Sequence, residues 1–521
     1  MKRMWRPLVA MASVCSMAAV SMGGCASSAP APDGENVAEA NQSLVVTCKY
    51  LDQAQYPTPL PWPVDFDREL VIRDLSVVED PCRTTWDTSL GCDPSTLGVW
   101  TFGRLMEQMA GTTPVSQFVG EWLDTFENSQ TVNGFPVPSR ANVRPMLIDP
   151  WLVASGCAAG SPIVGPGACT LDMRFSPFRL LAIVNRVDLS GPAYGAESPG
   201  EARFVFGIIK LRDPKEVEKE AEAAAGLEAT GAVKIGDGKI GDGKGEGKKG
   251  RQLQGDPLRA TVILEYRIPP TVKIQDWTAS WHELSNIPLG TAEFNQHLQS
   301  LTDVFSTQNA DSSRPNVGSS IGQVRTNEIS LGDDGLWEMR EYTLQDVKMG
   351  PDGFGLRNDT TKQTPDDSEN TDPALHSWML ADEPLIMDVD HVVPNQFLGG
   401  VSRESSFVWG TAVVPPMDPL ARHHFALSTC NGCHTNATAT GFTHIDNRPL
   451  GSPAGLSSFL GVSPAPSGAN DGTPATVHVN GDDMFPFIPR EYNEPWRRVC
   501  EVNRILRNDP DPYTRQNGGV H

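Results

Sequence analysis

The pentapeptide Cys430-Asn431-Gly432-Cys433-His434 constrains the fold of this chain more than any other part of its sequence. On a helical turn, residues three and four positions apart face the same side. Cys430 and Cys433 therefore present both sulfurs to one partner, and the imidazole of His434 lies beside them.

A Cys-x-x-Cys-His sequence is the attachment signature of c-type haem. Both sulfurs form thioethers with the porphyrin, and the histidine binds the iron from below. Cys430, Cys433 and His434 are thus the expected cofactor-binding residues, with haem c as the cofactor and His434 as the proximal iron ligand.

Two predicted helices flank this signature. Asp418 is a favoured N-cap and Pro419 fits a first helical position, so one helix should run from there into the signature. A second should begin near Asn493 and Pro495 and stop at Asn508. This layout resembles a small class I cytochrome c domain, and the resemblance covers residues 417–508. It implies a mostly α-helical haem domain over residues 416–521.

The resemblance also implies a distal iron ligand, usually a methionine from the loop before the last helix. Met484 lies in that position. His444 is the rival and would give two histidine ligands with a lower reduction potential. The remaining possibilities are His423, His424 or His478 as the distal ligand, or an open distal position.

Three alternatives to haem stay open at this motif, one of them being a chance match or another role. Cys430 and Cys433 can form a short-loop disulfide, with His434 incidental. They can also bind zinc together with His423 and His444, although no second cysteine pair follows at zinc-finger spacing.

The N-terminus is typical of an export signal over residues 1–24. Three basic residues precede an apolar run, residues 8–22, that is too short for a comfortable membrane span. Met22-Gly23-Gly24-Cys25 resembles the bacterial lipobox, which implies lipidation of Cys25; a plain cleaved signal is the alternative. The Ala and Ser that follow Cys25 imply the outer membrane, with residues 25–45 as a flexible tether.

The cysteine content agrees with export, because exported chains keep cysteines as disulfides or ligated groups. If the haem takes two, six remain for bridges. Pairing of neighbours predicts Cys82 with Cys92 and Cys157 with Cys169. Elimination then leaves Cys48 for Cys500.

Residues 46–415 are predicted to form a large α+β domain, because short strands and helices mix without a regular βαβ alternation. The predicted strands are 68–78, 178–189, 201–211 and 259–269, with a hairpin around the turn at 332–335. Predicted helices include one that begins at Pro114 and two within 275–305. Residues 214–256 are too rich in Gly, Lys and Asp to bury a core and are predicted to be a disordered insertion.

These patterns favour an exported mono-haem electron-transfer lipoprotein, anchored to a membrane by lipid. The large domain would dock a redox partner protein or a small-molecule substrate, and a haem-linked oxidoreductase stays open. The alternative is a non-enzymatic binding or adhesion lipoprotein in which Cys430–Cys433 is a structural disulfide. A formal charge of −22 argues against nucleic-acid binding.

Overall fold

A computed structural model describes residues 63–85, 91–92, 97–190, 199–212, 255–312, 318–346, 353–403, 409, 417–435, 437–438, 440–461, 475–479, 488–492 and 494–507. The chain is α+β. Its helices are α1 Leu75–Val78, α2 Phe102–Ala110, α3 Val115–Glu127, α4 Asp149–Ala154, α5 Ile274–His282, α6 Ala292–Ser306, α7 Pro373–Ala381, α8 Glu383–Met387, α9 Pro419–Leu427, α10 Cys430–His434 and α11 Glu494–Leu506.

The strands form one large antiparallel sheet and two hairpins. In chain order they are β1 Val71–Ile72, β2 Gln130–Val132, β3 Phe135–Val137, β4 Phe178–Arg186, β5 Glu201–Leu211, β6 Gly255–Arg267, β7 Ile321–Glu328, β8 Glu338–Asp346, β9 Phe354–Asp359, β10 Ser402–Arg403, β11 Ala475–Val479 and β12 Ile488–Tyr492. The large sheet has the order β1-β4-β5-β6-β7-β8-β10, and β9 also pairs with β8. β2 pairs with β3, and β11 with β12.

One face of the sheet is apolar and packs on helices. A single cross-strand row on this face joins Phe204, Leu264, Val324 and Tyr342. Tyr342 packs edge-on against Trp122 of α3, with ring centroids 6.0 Å apart. Because side chains alternate between faces along a strand, the residues next to this row point to the opposite face. That opposite face carries charged side chains and lies under the C-terminal segment.

Asn447 shows how closely the C-terminal segment covers this second face. Its amide donates to the carbonyls of Ile208 and Leu258, at 2.6 and 2.9 Å. A Cβ on Gly207 would lie only 1.9 Å from its Oδ1. Gly207 is therefore required for this close approach between strand and loop.

The core is continuous across the sheet and the C-terminal helices. Phe425 of α9 and Val499 of α11 are buried in the same apolar cluster as Phe204 and Leu264 of the sheet. The domain boundary predicted at residue 415 falls within residues 410–416, outside the described residues.

Most predicted elements of the large domain are present, and one is wrong. Residues 68–78 were expected to form a single strand, but the segment contains a π-helical turn at Phe66–Leu70, the two-residue β1 and the helix α1. The side chains of Asp65 and Asp74 cap the two helical turns by accepting from Asp67 N and Ser76 N. These local caps outweigh the β-propensity of the valines and isoleucine.

The predicted insertion at 214–256 lies outside the described residues except for its last two. Gly255 and Asp256 already belong to β6, where they pair with Leu211 and Lys210 of β5. β5 and β6 are therefore adjacent antiparallel strands, and the insertion joins their ends.

Both disulfides predicted between neighbouring cysteines are present in the structure: Cys82–Cys92 and Cys157–Cys169. Cys500 is also disulfide-bonded. Cys48, its predicted partner, lies outside the described residues, as does Cys25.

Candidate functional site

The Cys-x-x-Cys-His sequence forms the short helix α10, separated from α9 by a break. Sequence reasoning predicted one continuous helix, but Thr429 adopts an extended conformation and caps α10 by accepting from Gly432 N. Trp409 Nε1 donates to the same hydroxyl at 3.0 Å. Cys430 N donates to Thr364 Oγ1 at 2.8 Å, so the loop after β9 fixes the start of the motif.

Gly432 is required inside this turn. A Cβ built there would lie 2.0 Å from Ala426 O, a backbone atom that cannot turn away. We expect Gly432→Ala to lower the free energy of unfolding by about 1–3 kcal/mol, the usual cost of overpacking. Urea unfolding measures this. Gly441→Ala is the matched control, because a Cβ at Gly441 meets nothing within 4 Å and stability should not change. Equal stability of the two variants would contradict the close packing of α10.

The two cysteines of α10 are fully buried and are not bonded to each other. Burial raises the pKa of Cys430 to about 11, and burial together with Cys430 raises that of Cys433 well above its usual value. Both side chains are therefore neutral thiols at pH 7. Thiol–disulfide exchange requires an accessible thiolate, so this environment is unlike that of a redox-active cysteine pair.

His434 presents one ring nitrogen as an acceptor. Its Nδ1 donates to Phe442 O at 3.2 Å, so Nδ1 carries the proton and Nε2 carries the lone pair. Burial lowers the pKa of His434 to about 4; the hydrogen bond to Phe442 opposes this shift, and the Arg325 and Arg203 guanidiniums contribute to it. The ring is thus neutral at pH 7. Metal-binding histidines are usually oriented by this same donation to a carbonyl.

Trp337 and His444 lie on either side of the His434 ring. Trp337 stacks on it with ring centroids 5.5 Å apart and an interplanar angle of 17°. His444 lies 4.6 Å away by ring centroids, with its Nε2 at 3.1 Å from Cys433 Sγ. His444 therefore lies beside both Cys433 and His434, and its role as a distal iron ligand stays a prediction.

The other predicted ligands are distributed differently. Met484 lies outside the described residues, and only the backbone of His478 is described, in β11. His423 and His424 are buried in α9. Within the described ranges, no three or more His, Cys, Asp or Glu side chains form a group that could hold a metal ion. The zinc alternative thus lacks a ligand set there.

A layer of buried charges on the second face of the sheet lies next to the motif, and sequence reasoning missed it. Glu265 of β6 contacts Arg203 of β5 at 3.2 Å and Arg325 of β7 at 3.5 Å. Arg325 also contacts Glu341 of β8 at 3.1 Å, and Arg203 contacts Glu201 at 2.9 Å. Charged residues at alternate positions of otherwise apolar strands are the sequence signal that could have revealed this layer.

This charged layer acts directly on the motif. The positive charges of Arg203 and Arg325 oppose protonation of His434, and Arg325 opposes the burial that raises the pKa of the Cys430 thiol. The sheet therefore contributes to the electrostatic potential around α10, although its arginines are distant from α10 in the sequence.

A second buried network ties α11 to the end of β4. Asp188 accepts from Arg186 Nε at 2.8 Å and from Arg497 Nη2 at 2.7 Å. Arg497 and Arg498 also donate to Glu494. Arg186 and Arg498 oppose the burial that raises the pKa of the nearby Cys433 thiol, and Glu494 adds to it.

One carboxyl contacts the motif from the side of β10. Asp367 Oδ1 lies 3.4 Å from Asn431 Nδ2 within α10. Burial and the neighbouring Asp366 raise the pKa of Asp367 to about 7, and Arg403 opposes them. Asp367 therefore titrates close to neutral pH, next to the cysteines.

Comparisons with known proteins identify no relative. No family model, curated protein or solved structure matches this chain. Within the described residues, no helix is both long enough and apolar enough to span a bilayer.

Proposed function

We propose that this protein is an exported electron-transfer protein that binds haem covalently through Cys430 and Cys433, with His434 as an axial iron ligand. The arrangement of α10 carries this proposal. Two buried thiols that are not joined in a disulfide share one helical turn with an imidazole whose Nδ1 is already bonded to Phe442 O. The Nε2 lone pair is then the one that a metal ion can use.

The donor set fits this cofactor better than it fits the alternatives. Two pairs of cysteines that are close in sequence, Cys82–Cys92 and Cys157–Cys169, form disulfides, whereas Cys430 and Cys433 do not. Two thioether bonds need two such thiols and consume no third or fourth ligand, which zinc would need. When bound, the haem would supply a one-electron iron couple.

The surrounding residues would fix the orientation of the axial imidazole and shield it from water. Trp337 stacks on the ring of His434 and is itself fixed by donation from its Nε1 to Asn327 Oδ1 at 3.3 Å. The Phe442 carbonyl sets the tautomer of His434. A fixed, partly desolvated ligand reduces the reorganisation that accompanies a change of iron charge, which favours electron transfer over ligand exchange.

The cellular setting of this proposal rests on the sequence. The segment Met22–Cys25 and the apolar run before it support a lipoprotein attached to the outer membrane through Cys25. The large α+β part would dock the electron donor, the acceptor or a small-molecule substrate.

The proposal is tested by the mass of one peptide. Full-length protein is co-expressed with haem-attachment machinery and digested. The mass of the peptide that contains residues 430–434 is then measured by mass spectrometry. We expect it to carry the added mass of haem, and the colour to survive acid-acetone extraction. Cys430→Ala with Cys433→Ala should abolish both signals, whereas Cys82→Ser with Cys92→Ser, a pair far from the motif in sequence, should keep them.

A contrary result is equally specific. If the wild-type peptide shows only unmodified thiols or an internal disulfide under these conditions, the haem proposal is wrong. An internal disulfide would favour the binding or adhesion lipoprotein.

A further inference from the structure

A cavity of about 70 Å³ lies at the start of β4, where that strand meets α2. About five water molecules fit in this volume, which also suits a small organic ligand. Its walls are mostly apolar and are formed by Leu97, Phe102, Met173, Phe178, Leu180 and Ile209. Phe102 stacks on Phe178 with ring centroids 3.8 Å apart, so this part of the wall is well packed. The haem proposal uses none of these residues.

Ser176 gives this cavity a hydrogen-bonding group. It lines the cavity and is 5% exposed. Its backbone N donates to Met173 O at 3.3 Å, but its hydroxyl has no hydrogen-bond partner among the described residues. Thr84 and Thr101, which also line the cavity, donate from their hydroxyls to backbone carbonyls at 2.8 and 2.7 Å. Buried hydroxyls almost always have a partner, so the partner of Ser176 comes from whatever occupies the cavity.

A cation lines the same cavity. The side chain of Arg179 is half-buried, and its Nη1 donates to Arg448 O at 3.0 Å. Burial and the neighbouring Arg448 lower the pKa of Arg179 to about 10, and Glu79 opposes them, so Arg179 is positively charged at pH 7. Burial of a charge beside a second arginine is unfavourable, and an anion in the cavity would offset that cost.

The carboxylates at this cavity bind other groups. Glu79 lines the cavity and accepts from Arg448 and, at 2.8 Å, from Gly451 N. Asp172 accepts from Arg174 Nε at 2.9 Å, and Arg174 also lines the cavity. The whole chain has a formal charge of −22 and repels anions in general. An anion that binds here therefore requires this local arrangement.

We propose that this cavity binds a small organic carboxylate with a short apolar body. The Ser176 hydroxyl donates to a carboxylate oxygen, and the charge of Arg179 stabilises the anion. The apolar walls contact the hydrocarbon part, since burial of apolar surface is favourable. An inorganic anion such as phosphate fits less well, because its oxygens would face apolar walls without hydrogen-bond donors. This site does not depend on the presence of haem.

Butyrate is the probe for this site, because it combines a carboxylate with a short apolar chain. Full-length protein is titrated with butyrate, and binding is followed by saturation-transfer NMR of the ligand. We expect Ser176→Ala to weaken butyrate binding by ~10-fold or more, because a hydrogen bond to a charged acceptor is lost. Ser377→Ala is the matched control, because Ser377 is an exposed residue of α7, and it should bind butyrate as tightly as the wild type.

Butyramide has nearly the shape of butyrate but no charge, so it tests the role of Arg179. The wild type should bind butyrate more tightly than butyramide, and Arg179→Gln should lose this preference. Thermal unfolding shows whether the variants are folded; Ser176→Ala removes one buried hydroxyl and should unfold close to the wild-type temperature. Three results would each overturn the proposal: no butyrate binding by the wild type, equal butyrate binding by the wild type and Ser176→Ala, or equal binding of butyrate and butyramide by the wild type.

Discussion

Asp188→Asn is expected to lower the free energy of unfolding by about 3 kcal/mol at pH 7. Asp188 is 2% exposed and accepts from both Arg186 and Arg497. Asparagine keeps the volume of the side chain, so the substitution removes charge without opening a cavity. The two guanidiniums then stay buried with less negative charge beside them. Removing one partner of a buried ion pair is destabilising because the remaining charge is no longer compensated. Urea unfolding followed by tryptophan fluorescence measures the change.

The pH dependence identifies charge as the cause. Arg186 and Arg497 outweigh burial and hold the pKa of Asp188 well below its usual range. A carboxyl with a lowered pKa stabilises the fold above its unfolded pKa, and that stability is lost as the pH falls. The difference between wild type and Asp188→Asn should therefore be full at pH 7 and shrink as the pH falls below about 4.

A surface ion pair is the control for Asp188. Arg212 Nη2 contacts Asp256 Oδ1 at 2.6 Å, but these side chains are 42% and 64% exposed. Exposed pairs contribute little because water and salt screen them. Asp256→Asn should therefore leave the unfolding curve unchanged. If Asp188→Asn behaves in the same way, the buried network does not stabilise the attachment of α11.

Local sequence patterns were sufficient for many of the elements. The helix predicted to begin at Pro114 begins one residue later, at Val115, and Asp418 caps α9 with Pro419 in its first turn, as predicted. Such features act within one turn, so the chain carries them locally. The wrong strand prediction for residues 68–78 also has a local cause. Asp65 and Asp74 are N-caps of two helical turns, but the prediction followed the β-branched residues of the segment instead of these caps.

The motif could be found from the sequence, but its environment could not. The spacing of Cys430, Cys433 and His434 is local, and the structure places them on one turn. Arg203 and Arg325 act on His434 because β5, β6 and β7 pair in a register that places both arginines on the same face of the sheet as α10. These two residues are more than a hundred positions away from the motif and from each other in the sequence. No local rule specifies that register. Charged residues in an apolar strand could have identified the polar face of the sheet, but they could not have shown that α10 packs near it.

Asp367→Asn is expected to stabilise the protein, and only above mildly acidic pH. Burial and Asp366 raise the pKa of Asp367 to about 7 in the folded chain, so the fold favours the protonated carboxyl. A group with a raised pKa contributes its full stability below its unfolded pKa and loses it as the pH rises through the folded value. The wild type should thus lose stability between about pH 4 and pH 7. Asparagine mimics the protonated form at every pH.

The expected gain for Asp367→Asn at pH 8 is roughly 2–4 kcal/mol, from a rise of about three pKa units reduced for partial exposure of the side chain. At pH 4 the two proteins should be equally stable. Urea unfolding at both pH values measures this, and Asp333→Asn, in the exposed turn between β7 and β8, should match the wild type at both. Because Asp367 contacts Asn431, a pH-independent effect would show instead that the carboxylate is needed to hold α10 in place.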